Sequence, residues 1–180
     1  MTPFISSVNQ ALSLLTIAAQ ILIVVFLIAF LLGKNQRSKI ISWLGPKAMT
    51  FSLVVALAAT LGSLFYSEIA GFEPCKLCWF QRILMYPQVI LLGLALWRRK
   101  KDIGDYIIAL SVIGAVIAGY HYLLQRGAVP ALPCSAVGYS ASCSQVFVMS
   151  FGYVTIPLMA FTAFILILML QIVIKRDHSL

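Results

Sequence analysis

Five stretches of this chain are long, apolar and almost free of charge, and a fold surrounded by water has no way to cover them. They run from Leu12 to Leu32, from about Ala48 to Ser67, from about Trp79 to Trp97, from about Tyr106 to Leu124, and up to Ile174 from a start near Gly152 or Ile156. A helix needs about 20 mostly apolar residues to cross a bilayer, and each stretch is near that length. Only 10% of the residues are charged, against about 25% in soluble domains. The expected class is therefore an all-α integral membrane protein. At 180 residues the chain suits one bundle with no separate soluble domain. Pro157 fits the first turn of the fifth helix, where a missing N–H costs nothing.

The first stretch has two readings, a cleaved signal peptide or a retained helix. Its leader, Met1 to Gln10, contains no Lys or Arg. Its apolar run is also longer than the usual 7–15 residues of a signal core. A retained helix is the expectation.

The net charge of +8 does not indicate nucleic acid, because the cations sit in short clusters between apolar runs, where orientation signals lie. Lys34, Arg37, Lys39 and Lys47 separate spans one and two. Arg98, Arg99, Lys100 and Lys101 separate spans three and four. Lys175 and Arg176 follow span five. These places share one face, which the positive-inside rule makes cytoplasmic. The N-terminus is then outside and the C-terminus inside.

That threading puts all four cysteines outside, where disulfides persist. They form two groups, Cys75/Cys78 and Cys134/Cys143. Cys78 stands at the start of span three, where a helix N-terminus favours a thiolate, the nucleophile of disulfide exchange. Arg82 lies four residues on, one turn deeper on the same face. It can snorkel to the headgroups, or stabilise a thiolate or a carbonyl oxygen; ionisable groups inside spans are functional candidates by default. A quinone is a lipid-soluble electron acceptor with two carbonyls. A structural zinc site is a poor fit, because eight residues separate Cys134 from Cys143 and such sites favour tight Cys spacing in both halves. No metal is expected. A purely structural Cys75–Cys78 bridge is also poor, since so short a loop restrains the unfolded chain little.

The loop from Gly127 to Ser144 is rich in Gly, Pro, Ala and Ser, so the second pair is expected to be mobile and accessible. A structural bridge there competes with an exchangeable one. His121, between Tyr120 and Tyr122, is either part of an interfacial aromatic belt or a hydrogen-bond donor to a quinone. Tyr66, Trp79 and Trp97 read as belt residues, and Met149 and Met159 as packing.

The tract Cys75-Lys76-Leu77-Cys78-Trp79-Phe80-Gln81-Arg82-Ile83-Leu84-Met85-Tyr86-Pro87 resembles the signature of the DsbB/BdbC family of membrane disulfide-bond formation proteins. Tyr120-His121-Tyr122-Leu123-Leu124-Gln125 and Phe151 to Ala160 are similar to two later motifs of that family. The likeness covers residues 48–174 and leans toward the shorter BdbC-like members. It implies a four-helix redox core over residues 48–180, with 1–47 adding an extra N-terminal transmembrane helix and a cytoplasmic loop. It also implies disulfides Cys75–Cys78 and Cys134–Cys143. The activity implied is that of a protein-disulfide:quinone oxidoreductase in the bacterial cytoplasmic membrane. Such an enzyme reoxidises a DsbA/BdbD-like thioredoxin-fold thiol oxidase and passes electrons to ubiquinone or menaquinone. By position, Cys78 would meet the quinone, with Cys75 as its partner and Arg82 and His121 binding the ring. Cys134 would form the mixed disulfide with the oxidase, and Cys143 would resolve it. An interfacial helix found in longer relatives is expected to be missing from the short loop between them. Two other readings stand beside this one. One is a vitamin K epoxide reductase-like quinone reductase, in which the loop pair precedes the Cys-x-x-Cys. The other is a non-enzymatic transport or assembly subunit with structural disulfides.

Overall fold

In hydrocarbon every backbone N–H and C=O must be satisfied within the protein, and a helix does this inside one segment. The computed structural model describes residues 3–31, 34–99, 102–130 and 142–177, and five helices dominate them. They are α1 (Pro3–Leu31), α2 (Lys34–Leu64), α3 (Lys76–Trp97), α4 (Gly104–Gln125) and α5 (Ile156–Asp177). All five are long and apolar enough to cross a membrane. Among the described residues the only strand-like pairing is an isolated bridge between Ser150 and Val154. The helices extend a few residues past the apolar runs; α1 begins at Pro3 rather than Leu12. α5 starts at Ile156, with Pro157 in its first turn.

α2, α3, α4 and α5 form a closed ring of neighbours: α2 packs on α3 and α5, and α4 packs on α3 and α5. α1 stands outside that ring against α5 and α2. Phe164, Leu92, Ile107 and Ile167 are fully buried at the centre. Lipid gives helices no hydrophobic reason to associate, so close packing and internal hydrogen bonds hold the bundle. Gly114 shows the packing: a Cβ there would overlap the ring of Phe164, so α4 and α5 meet this closely only because position 114 has no side chain. The hydrogen bonds run between helices. Ser111 donates to Gln88 at 3.2 Å, and Gln171 donates to Ser52 at 2.9 Å. Each such bond is worth about 0.6 kcal/mol in a membrane bundle. Large apolar side chains such as Ile83, Ile90, Ile113 and Val116 face outward, toward lipid.

The helices alternate in direction, which separates two ends. At one end Lys175 pairs with Asp105 at 2.7 Å and Arg176 lies over the Phe30 ring. At the other end α2 stops, α3 starts, α4 stops and α5 starts, and three of the four cysteines gather there.

Replacing Gly114 with leucine is expected to destabilise the bundle by about 1–3 kcal/mol, the usual cost of overpacking. Gly93 has open space around it, so Gly93→Ala should cost nothing and add up to about 1 kcal/mol from helix propensity. Thermal unfolding of both variants in detergent checks the contrast.

Candidate functional site

The end of α2 sets up the site. Directly after it, Phe65–Ile69 forms a turn of π-helical geometry, a local device often found at functional positions. The chain then reverses at Gly71, whose φ of +70° suits a residue without a Cβ. Pro74 leads into Cys75, the N-cap of α3, with extended backbone angles of −70° and 171°. Cys78 is therefore the third residue of α3, as its position before the apolar run suggests.

Cys75 is 3% exposed. Its thiol donates to the Cys78 sulfur, with the two sulfurs 3.3 Å apart and both cysteines in the free form. That hydrogen bond, together with burial, pushes Cys75 up to about 12. The resulting dithiol is asymmetric: Cys75 holds its proton and Cys78 receives the hydrogen bond.

His121, from α4, is fully buried behind Cys75. Its Nδ1 is 2.9 Å from Gln81 Nε2. Its Nε2 is 3.1 Å from the Cys143 carbonyl oxygen and 3.7 Å from Cys75 Sγ. A carbonyl only accepts, so Nε2 carries the proton and Nδ1 accepts from the Gln81 amide. One imidazole thus holds α3, the Cys143 segment and the Cys75 sulfur together. The sequence suggests a belt residue or a quinone donor; the structure places His121 beside Cys75 Sγ and the Cys143 carbonyl oxygen. Gln81 was missed. It lies inside the quoted motif, one helical turn after Cys78, and such an uncharged polar residue buried in a span marks a partner.

Cys143 corrects an expectation of accessibility. It is 1% exposed and packs with Cys75 and Leu124, because His121 fixes its carbonyl and the adjoining chain folds onto α4. Gln125 adds a bond to the Gln145 carbonyl at 2.9 Å. Cys134, its expected partner, and the question of an interfacial helix lie in 131–141, outside the described residues.

Cys75, Cys78 and His121 bring three potential metal-ligating atoms within 4.8 Å of one another. A closed structural zinc site uses four ligands, and both imidazole nitrogens here already have hydrogen-bond partners.

On the other side of Cys78 lies a cleft of about 380 Å³, within the range of small-molecule sites. Cys78, Gln81, Arg82, Tyr66 and Glu73 mark one end, and the remainder between α1, α2 and α5 is almost entirely apolar. His121 does not line it. Arg82 reaches across to α2, where Nε donates to Ser63 Oγ at 2.9 Å and Nη2 to the Ser63 carbonyl at 3.0 Å. Its guanidinium carbon lies 5.4 Å from the Trp79 ring centre. These contacts fix the guanidinium plane at the cleft wall. Tyr66 is no belt residue: it is buried, and its hydroxyl donates to Asn9 Oδ1 at 2.9 Å. Trp79 and Trp97 are exposed as a belt requires. Above the cleft, Tyr66 stacks on Phe72, and Phe72 stacks on Phe147 with centroids 5.0 Å apart.

A helical membrane protein with a buried asymmetric dithiol, a second cysteine beside it and an arginine-capped apolar cleft is built for thiol–disulfide chemistry at a bilayer surface. The family profile described as "Disulfide bond formation protein DsbB" matches residues 45–174. Disulfide bond formation protein C of Bacillus subtilis (strain 168) is 44% identical over 132 residues, covering 71% of this chain and 92% of its own length. A probable disulfide formation protein of Metapseudomonas resinovorans is 42% identical over 138 residues, covering 73% and 94%. A probable disulfide formation protein C of Halalkalibacterium halodurans is 41% identical over 130 residues, covering 72% and 93%. No solved structure matches the chain. The chain belongs to the DsbB family of membrane disulfide-bond formation proteins, which favours that reading over the two alternatives.

At neutral pH Cys75 is expected to remain a thiol, so its alkylation in the reduced protein should become fast only in strongly alkaline solution. Cys78→Ala removes the acceptor and leaves burial alone, which lowers the pH at which Cys75 reacts. Peptide mass spectrometry across a pH series checks this; an unshifted profile would assign the whole effect to burial.

Proposed function

We propose that this protein reoxidises a thioredoxin-fold thiol oxidase of the DsbA/BdbD type and passes two electrons to a membrane quinone. The observation that carries this reading is the cleft, where Cys78 and Arg82 stand at the polar end of an otherwise apolar space. That space suits a flat ring with carbonyl oxygens and a greasy tail, and its donor set fits: a sulfur at one side and a fixed cation at the other. A bound quinone supplies an acceptor for two electrons and two protons.

The protein's own residues do the rest. The partner's dithiol attacks the Cys134–Cys143 disulfide, leaves as a disulfide, and reduces this pair to thiols. That dithiol then attacks Cys75–Cys78, regenerating its own disulfide and leaving the inner pair reduced. The burial of Cys143 against Cys75 supports this step, because one sulfur of the outer pair is already next to the inner one. His121 and Gln81 hold Cys75 and the Cys143 segment in register. Arg82, its plane set by Ser63, directs its remaining N–H groups toward a carbonyl oxygen beside Cys78. Arginine has five such donors, and Ser63 occupies two.

The same reading sets the orientation. The basic end faces the cytoplasm by the positive-inside rule, and both cysteine pairs face the oxidising side, where their product disulfides persist. Residues 48–180 act as the redox core and 1–47 as an addition to it. An impermeant thiol reagent applied to intact cells should label Cys78 or Cys134 once the protein is reduced. Labelling only after the cytoplasm is opened would overturn the orientation.

Anaerobic purification with lipids retained, followed by quinone-dependent oxidation of a reduced thioredoxin-fold protein, tests the activity directly. Cys143→Ser is expected to trap a mixed disulfide through Cys134; an adduct mapping to Cys75 would reverse the proposed order. Arg82→Ala should slow quinone reduction by roughly 100-fold, the order seen when one preorganised donor is lost, while exchange with the partner survives. Unchanged quinone kinetics would reduce Arg82 to a headgroup anchor.

A further inference from the structure

We propose that α1 forms the outer wall of the quinone cleft and holds the isoprenoid tail, a part of the site that the family match does not include. The inference rests on the quinone reading above. The family match begins at residue 45, so all of α1 lies outside it. Yet Leu12, Leu15, Ala19 and Leu22, spaced along one face of α1, line the same cleft as Cys78 and Arg82. Opposite them are α2 and the turn that follows it, from Val54 to Tyr66, and α5, from Ile156 to Leu166. The twelve steps from Val54 to Tyr66, at about 1.5 Å each, make this wall about 18 Å long.

Polar ties hold α1 in place. Asn9 accepts from Tyr66 and donates to Ser150 Oγ at 3.1 Å. Farther along, Gln20 donates to Thr162 at 3.3 Å and accepts from Tyr153 at 3.1 Å. Polar residues are costly in a span unless paired, and these pairs fix the helix at two heights. Between them Gly62 and Leu12 make the near contact, with 3.5 Å from a Cβ built at Gly62 to the leucine methyls. The same cleft is lined by Cys78 at one end and by Leu22 of α1 farther along.

Its occupant is the quinone tail rather than a phospholipid chain. The polar end of this space carries the Cys78 sulfur beside Arg82, the two groups the proposed reaction uses on a quinone ring, and a ring seated there leaves its tail to run on along the apolar walls. α1 therefore makes the site longer than a ring pocket and gives it preference for long-tailed quinones.

The test compares wild type with Ala19→Phe, which fills the cleft from α1, and with Ile21→Phe, on the exposed side of the same helix. The readouts are quinone content after lipid-retaining purification and the thermal shift on adding a long-tailed or a tail-less quinone. For Ala19→Phe, retention and affinity for the long-tailed quinone should fall roughly tenfold, as when about two buried methylenes lose their place. Tail-less quinone should bind as in wild type, and Ile21→Phe should match wild type throughout. If Ala19→Phe does not fold, Ala19→Leu gives the same comparison with less bulk. Equal affinity of the Ala19 variants and wild type for both quinones would overturn the role of α1. Equal loss of both quinones would assign α1 to the ring and overturn the tail assignment, as would a changed phospholipid content with unchanged quinone. Wild type that neither retains nor reduces any quinone would instead overturn the functional reading itself.

Discussion

Hydrocarbon accepts no hydrogen bonds, so a polar side chain that this chain carries between its two ends is stabilised by a partner inside the protein. That requirement accounts for the pairing of Gln88 with Ser111 and of Gln171 with Ser52, which lock α3 to α4 and α5 to α2. It also accounts for Arg82. A guanidinium inside a span is expensive, and the two bonds to Ser63 hold it where it faces the cleft. The residues that stabilise the bundle and those that shape the site obey the same rule.

The site divides its work between two sides of one short helical turn. Behind Cys75, a buried, hydrogen-bonded cluster of His121, the Gln81 amide and the Cys143 carbonyl surrounds the sulfur. In front of Cys78, an open apolar space has a single fixed cation. The first side suits exchange between sulfurs, which needs alignment. The second suits a lipid-soluble molecule, which needs room. The N-cap position of Cys75 and the early position of Cys78 in α3 place one sulfur on each side.

Much of this was legible in the residues. Uncharged runs marked the five helices because crossing a bilayer demands them, and basic clusters marked one common end. The Cys75 to Arg82 tract announced its chemistry because Cys-x-x-Cys at a helix start has few other uses. What stayed hidden depends on contacts between distant segments. Tyr66 reads as a belt residue until Asn9, from another helix, takes its hydroxyl. His121 reads equally well as belt or ligand, and only the fold sets Cys75 on one nitrogen and Gln81 on the other. Cys143 sits in a Gly- and Pro-rich loop that looks free, yet its carbonyl is held from α4. The place of α1 in the cleft follows from packing and leaves no mark on its composition.

The face-to-face rings of Phe72 and Phe147 join the loop before Cys75 to the loop after Cys143. Phe72 lies three residues before Cys75, and Phe147 four residues after Cys143. Neither loop can swing without dragging the other or parting the rings. Movement of either cysteine-bearing segment is thereby geared to the roof of the cleft, like two shutters on one latch.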